Sequence, residues 1–527
     1  MNVTGWGIIT SAMTIGLCMT FSASAQRAAI EPELERAMQN GEDVAFIARF
    51  TGRLDLGAFP GQGHGKGTEI AALLWALRGL ADSSQKPAVE LLKSNGAKHI
   101  VQLWSINALA ATADADTVRK LAELPGIDRI ELDATLAAPA PQPAATVAPE
   151  WNIDAVAAPQ LWMEDLTGAG TVVAAMDTGV DASHQDLAGR WRGGTNSWFD
   201  PYGENDTPRD ISGHGTQSIS IAVGGDAGGT AIGVAPGAQW IAAKIFNDDG
   251  IGTLSGIHQS FQWMLDPDGN PATADAPDVV NNSWGFPDQA GQCVIEFEAD
   301  LEVLKAAGIA VVFSAGNQGA LGSVSPANNP EGFGVGAVDA SGALAWTSST
   351  GPSDCDGSLF PELVAPGVGV TAADLGDNYA SVSGTSSAAP HVSGAIALLR
   401  EAYPDATVAH LEEAIENTAV DLGEMGPDNE SGFGLLNVAA ARDWLAARPP
   451  CTDHDGDGFF AEAGCGLPAD CNDYDAAVNP DACDIIGDGI DQDCDGADRL
   501  RGKSCPTSSG GSGGGGSKGG GGKGKKK

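Results

Sequence analysis

Between residues 150 and 447, short apolar runs alternate with longer amphipathic ones, and this alternation constrains the fold more than any other feature of the chain. The runs TVVAAM, WIAAKIF, DVVNNSW and GIAVVFSAG are apolar almost throughout and do not alternate with polar residues, so both faces of each strand must be covered. Between and after them, SGIHQSFQWML, ADLEVLKAAG, GTSSAAPHVSGAIALLREAY and VAHLEEAIENTA repeat apolar residues at three- and four-residue spacing, which predicts helices. Strands buried on both faces and joined by helices make a parallel sheet. The expected fold is therefore α/β, a doubly wound, mostly parallel sheet with helices on both faces.

The flanks read differently. An apolar segment from Ile8 to Phe21, followed by Ala23-Ser24-Ala25, is too short to span a bilayer and predicts a signal peptide over 1–25, although no Lys or Arg precedes it. Its removal takes Cys18 and leaves eight of nine cysteines, an even number suited to an oxidising compartment. Residues 26–136 hold two strand-like runs, VAFIARF and HIVQLWSI, and helical patterns around TEIAALLWALRGL and TVRKLAELP, a small α+β unit. The Pro/Ala stretch 137–150 reads as a linker before the main domain at 151–447. Pro449 and Pro450 open a Cys/Asp-rich module over 451–505, and 506–527 is a Gly/Ser/Lys low-complexity tail. No later segment is long and apolar enough for a membrane helix.

Charge narrows the partners. With 28 basic against 69 acidic residues the net charge is -41, which argues against nucleic acid or anionic lipid as a partner and favours cation-binding segments. The excess is concentrated: between Cys451 and Asp498 there are thirteen Asp, one Glu and no Lys or Arg.

Chemistry is expected at the carboxyl ends of the parallel strands, where an open sheet of this kind gathers its functional groups. Asp177 directly follows TVVAAM, His214 lies between glycines in SGHGTQ, and Asn317 follows the run VVFSAG. Ser386 sits at the mouth of a small-residue helix, where unpaired N–H groups converge. Together these types suit acyl transfer. A Ser hydroxyl attacks once a neutral His takes its proton, a carboxylate fixes the His tautomer, and the Asn317 amide with the Ser386 N–H can meet a developing oxyanion. Singly, each has a plainer reading as a turn former, helix-start residue or N-cap.

The joint pattern resembles the subtilisin-like serine proteases. It is carried by VVAAMDTGVDASHQDL, SGHGTQ, GVAPGA, VVNNSWG, AGNQG, SGTSSAAPHVSGA and GFGLLNVAAA, in the family's Asp, His, Ser order and over about 300 residues. The resemblance implies a serine endopeptidase with Asp177, His214 and Ser386 as triad, Asn317 in the oxyanion hole, no cofactor for catalysis, and protein or peptide substrates. It also implies substrate contacts from Gly250, Gly252, Ser283, Trp284, Gly285 and Gly316. Residues 26–136, through VRKLAELPGIDRIELD above all, resemble the family's inhibitory propeptide, which implies an intramolecular inhibitor removed by self-cleavage between Ala137 and Trp151. Departures from the pattern are Ser387 in place of a common Met, Ala389 in place of Ser, Gln217 in place of a frequent His, Gln318 beside Asn317, and Trp284 in place of a smaller apolar residue. With Trp284 and Gln318 there, an uncharged, mainly apolar or aromatic preference is expected at the main specificity pocket.

In the C-terminal module, Asp453, Asp455 and Asp457, then Asp491, Asp493 and Asp495, present alternate carboxylates in Gly-containing loops, the hard-oxygen pattern of Ca²⁺. Position 12 of each loop would be Gly464 or Gly502 and not Glu, so these are not EF-hands, and the module is more similar to the Cys/Asp-rich metal-binding repeats of bacterial surface and secreted proteins. Its six cysteines predict three disulfides with 15 open connectivities. Asp266 and Asp268, in DPDGN, read as a turn. The whole describes a secreted, monomeric, self-processed serine endopeptidase with a structural Ca²⁺ module that could also hold it at the cell surface. The alternative from another class is a catalytically idle scaffold acting as a calcium-dependent binding protein.

Overall fold

The computed structural model describes residues 27–59, 68–140 and 151–447, together with 471, 472, 477–479, 482, 492 and 494. Two compact units divide the chain at residues 448 and 449.

In the first unit, the N-terminal layer is a five-stranded sheet of β1 (Ala29–Ile30), β2 (Val44–Phe50), β3 (Lys98–Leu103), β4 (Ala108–Ala113) and β5 (Ile127–Leu132), in the order β1-β5-β2-β4-β3. Helices α1 (Pro32–Ala37), α2 (Thr68–Ser94) and α3 (Ala115–Leu121) complete it, and β6 (Thr135–Ala137) leads away from it. The sequence reading placed β2, β3 and α3 but missed β4 and β5, whose short runs ALAATA and IDRIEL lack a strong period. It also ended the second helix near Leu80. The helix instead runs through Pro87 to Ser94, because Ala81, Ala88 and Leu92 on its later turns are buried, and that burial outweighs the lost proline hydrogen bond.

The main sheet has seven strands: β7 (Val172–Asp177), β8 (Trp198–Phe199), β9 (Gln239–Lys244), β11 (Val279–Asn282), β12 (Ala310–Ser314), β13 (Phe333–Val338) and β14 (Leu363–Pro366). They pair in parallel throughout in the order β14-β13-β12-β11-β7-β9-β8. Edge strand β10 (Ile251–Thr253) and the hairpin β15 (Val368–Asp374) with β16 (Asn378–Ser383) stand apart from it. The helices are α4 (Trp151–Ala155), α5 (Ala158–Trp162), α6 (His214–Val223), α7 (Leu254–Leu265), α8 (Glu298–Ala306), α9 (Thr385–Ala402), α10 (Val408–Asn417) and α11 (Val438–Ala447).

Period-two alternation sorts the strand residues onto two cores. Val173, Ala175 and Val312 pack with α6, α9, α10 and α11, while Ala174, Met176, Val311 and Phe313 pack with α7 and α8 on the opposite face. The doubly wound arrangement read from the sequence is thus the observed one. The second core does not stop at the helices. Ile70, Leu73, Leu74 and Leu77 of α2 join it, each contributing roughly 1.5–3 kcal/mol if taken fully from water.

Polar contacts fix the same docking. Asp133 accepts from the Ser255 N–H at 2.9 Å and the Ser255 hydroxyl at 2.6 Å, capping the first turn of α7. Arg49 of β2 pairs with Glu131 and, at 2.6 Å, with Glu296 just before α8. These contacts deliver β6 to β10, where the two strands pair antiparallel and the Ala138 N–H donates to the Gly250 carbonyl at 2.8 Å. Ala137, expected to open the linker, is therefore strand, held by that pairing; residues 141–150 lie outside the described residues.

In the second unit, Cys471 is disulfide-bonded to Cys494, and the Asn479 N–H donates to the Gln492 carbonyl at 2.9 Å. Asp453, Asp455, Asp457, Asp491, Asp493 and Asp495 lie outside the described residues, as does the signal-peptide segment. A further disulfide, Cys293 to Cys355, belongs to the first unit.

Candidate active site

The strand order reverses between β7 and β11, and the groups singled out in the sequence converge at the carboxyl ends there. Asp177 is the last residue of β7, His214 the first of α6, and Asn317 follows β12 by three residues. Ser386 lies within the first turn of α9, after the N-cap Gly384.

Asp177 and His214 are both buried, and His214 Nδ1 lies 2.8 Å from Asp177 Oδ1 and 3.0 Å from Oδ2. Burial pulls the imidazole pKa down, but the charge and hydrogen bond of Asp177 and the charge of Asp210 outweigh it, so the net shift is upward. The glycines on either side of His214 have a steric reason. A Cβ on Gly215 would fall 2.1 Å from the Gly179 carbonyl, and Gly213 holds φ at 92° in the left-handed region.

Sequence reasoning missed the group that holds this corner. Asp210 accepts at Oδ1 from the Thr178 hydroxyl (3.0 Å) and the Ser212 and Gly213 N–H groups (2.9 Å each), and at Oδ2 from the N–H and hydroxyl of Thr216 (3.0 and 2.7 Å). Thr178 in turn accepts from the Gly215 N–H at 2.9 Å, so one carboxylate ties the end of β7 to the start of α6. The signal was an acid four residues before the His, ahead of a helix start.

On the opposite wall, Pro390 has no N–H for the carbonyl four residues back, which is that of Ser386. That carbonyl accepts instead from the Ser283 hydroxyl at 2.9 Å, while the Ser386 hydroxyl donates to the Ser283 carbonyl at 3.2 Å. Asn317 Oδ1 accepts from the N–H and hydroxyl of Thr385 at 3.0 and 3.2 Å, which leaves its Nδ2 as the free end of the amide. His214, Ser386 and Asn317 line one cleft of about 410 Å³.

Residues 168–434 match the subtilase family model. Bacillopeptidase F of Bacillus subtilis is 36% identical over 420 residues, covering 71% of this chain and 29% of its own length. Subtilisin E of the same species is 34% identical over 356 residues, 67% of this chain and 85% of its own. Alkaline elastase YaB of a Bacillus strain is 33% identical over 336 residues, 64% and 79%. The chain belongs to the subtilase family. It is a subtilisin-like serine protease.

In this subtilase, Ser283, Trp284, Gly285 and Gly316 line the cleft, whereas Gly250 and Gly252 lie outside its lining, at the β10 edge where Ala138 and Leu136 run alongside. Trp284 is buried against Phe261, Phe297 and Phe313, so the ring stiffens the wall of the cleft from the core side. Gln217 Nε2 reaches Asp374 Oδ1 at 3.3 Å, and Gln318 accepts from the Asn317 N–H at 2.7 Å; both side chains line the cleft. Ala137, Ala138, Pro139 and Ala140 line the same cleft, so the chain leaving the N-terminal layer enters it. No described helix is long and apolar enough to cross a membrane.

Proposed function

We propose that this protein is a secreted, self-processed endopeptidase that works through Asp177, His214 and Ser386. The carrying observation is the convergence of the Asp177–His214 pair, Ser386 and Asn317 on one cleft that the chain's own segment 137–140 enters. The Ser386 Oγ attacks the substrate carbonyl carbon as His214 Nε2 takes its proton, and Asp177 stabilises the imidazolium through Nδ1. The oxyanion accepts from Asn317 Nδ2 and the Ser386 N–H at the positive end of α9. His214 then gives the proton to the leaving amine, and a water repeats the sequence on the acyl-enzyme. To begin, the Ser386 hydroxyl must leave the Ser283 carbonyl and donate to His214.

Edge strand β10 supplies backbone pairing to an extended chain, as it does to β6. Substrates bind the same way, with Gly250 and Gly252 against their backbone and Ser283, Trp284, Gly285 and Gly316 around their side chains. The N-terminal layer is the intramolecular inhibitor, released after cleavage beyond Ala137. Residues 1–25 direct secretion, and Asp453, Asp455, Asp457, Asp491, Asp493 and Asp495 bind structural Ca²⁺ in the C-terminal module, with no metal in catalysis. The mature enzyme acts as a monomer.

Ser386→Ala tests the assignment. Activity on casein and short peptides falls roughly 10⁶-fold in kcat, the scale of nucleophile removal in subtilisin, and mass spectrometry finds the N-terminal layer still covalently attached. Full activity in that variant would overturn the reading.

A further inference from the structure

The turn read at Asp266 and Asp268 is present, with Asp268 Oδ1 accepting from the Asn270 N–H at 2.8 Å. The fold adds Asp275, and one carboxylate oxygen from each of the three lies within 4.8 Å of the others. Two oxygens bound to one Ca²⁺ at 2.3–2.6 Å can stand at most about 5.2 Å apart, so a single ion can reach all three.

Asp266 supplies a second and independent observation. It is 6% exposed, and its Oδ1 is buried with no hydrogen-bond donor among the described residues. A buried carboxylate oxygen without a donor is costly unless a cation meets it. The other contacts leave room for one. Thr273 donates its hydroxyl to Asp268, and Asn196 Nδ2 donates to Asp275 Oδ2 at 2.9 Å, while Arg192 meets Asp275 only at the backbone carbonyl, at 2.6 Å. Burial, with repulsion among the three, raises the pKa of Asp266 and of Asp275.

Besides Arg192, a second cation touches the cluster. Arg78, on α2 of the N-terminal layer, pairs with Asp266 Oδ2, reaches the Gly269 carbonyl at 3.4 Å, and lies 4.6 Å from the centre of the Trp104 ring. We propose that Asp266, Asp268 and Asp275 form a Ca²⁺ site in the peptidase, and that docked Arg78 holds one of its oxygens and weakens the ion's binding. The second half rests on the reading that the N-terminal layer is released; linkage then requires Ca²⁺ to favour the released state.

The test uses the full chain carrying Ser386→Ala, with Tb³⁺ as a luminescent probe and Ca²⁺ counted by equilibrium dialysis. Trp263 donates its indole N–H to the Pro267 carbonyl at 3.1 Å and so sensitises an ion in this loop. Tryptophan-excited Tb³⁺ emission that Ca²⁺ displaces is expected. Asp268→Asn with Asp275→Asn should lose most of it and bind one fewer Ca²⁺ per chain. Asp268→Asn alone, at an exposed position, checks the result without disturbing the fold. Arg78→Ala should tighten the site at least about fivefold. Unchanged emission and ion count in the Asp268 variants overturn the site, and unchanged affinity in Arg78→Ala overturns the competition. Whether the layer stays attached is read separately from the mass of the chain, so failure of the processing reading is distinguishable from failure of the ion site.

Discussion

Among the described residues are two buried histidine–carboxylate pairs, and they differ in what the second ring nitrogen meets. His214 Nδ1 is 2.8 Å from Asp177, and His258 Nδ1 is 2.7 Å from Asp300. The other nitrogen of His258 is claimed as well, by Glu296 Oε1 at 2.9 Å, with Arg49 Nη2 3.4 Å away. His214 instead lines the cleft, and among the described residues its Nε2 has no hydrogen-bond partner. A buried acid beside an imidazole is thus common to both, and only an uncommitted nitrogen opening on a cavity lets the ring exchange protons with a substrate.

Electrostatics separates them further. Burial opposes the charge on His258, but Asp300 and Glu296 overcome it and push its pKa up to about 9. Glu296 moves the other way: burial would raise it, yet the His258 and Arg49 charges hold it down. His258 therefore stays protonated at neutral pH, as part of a tie between α7, α8 and the N-terminal layer. In the mechanism proposed above, His214 instead loses and regains its proton in every turnover.

The largest test of this contrast is to delete each ring. His214→Ala should lower kcat roughly 10⁶-fold and, because Asp177 keeps the Thr178 N–H at 2.7 Å, cost less stability than removal of the second ring. His258→Ala should do the reverse. It strands Asp300 and Glu296, costs about 3–5 kcal/mol of stability by denaturant unfolding, and leaves kcat of the folded fraction within a few-fold. A catalytic loss at His258 comparable to that at His214 would erase the distinction.

Next comes Asn317→Leu, which keeps the volume but removes the free amide. It should cost about 3 kcal/mol in kcat with KM little changed, measured on short peptide substrates. A rise in KM with kcat intact would make Asn317 a substrate-positioning group.

The pH dependences should differ in sign. His258, raised from 6.5 to about 9 in the fold, gives stability that is full below pH 6.5 and is lost as pH climbs through 9, visible in denaturation midpoints. As the proposed base, His214 acts in its neutral form, and its pKa is raised, so the rising limb of kcat/KM should lie above pH 6.5. The smallest expected effect lies in the other unit. A chain ending at Arg448 should keep its kcat once processed, because Asp177, His214, Asn317 and Ser386 all lie in the first unit.

Much of this was legible in the chain. The apolar runs of β7, β9, β11 and β12 announced a parallel sheet, and the motifs around Asp177, His214, Asn317 and Ser386 announced the subtilase family. The hidden features were those with no local period or motif. Strands β4 and β5 are set by pairing with β2, the helix over Pro87 by burial of Ala88 and Leu92, and the corner at Asp210 by contacts from Thr178 and Thr216 on separate elements.

By itself the sequence determined the layer architecture, because side-chain period dictates which faces must be buried, and it singled out the residues proposed here as the reacting groups, because each chemistry admits few residue types. Only the tertiary structure decided what each ring nitrogen of the two buried histidines meets. The glycines of SGHGTQ mark His214 in the sequence, but nothing in SGIHQSFQWML announces that both nitrogens of His258 are taken. The difference lies in Glu296 and Arg49, brought beside His258 from 38 and 209 residues away, and in the open cleft left beside His214. Contacts at such separations depend on how the chain closes, which local pattern does not encode.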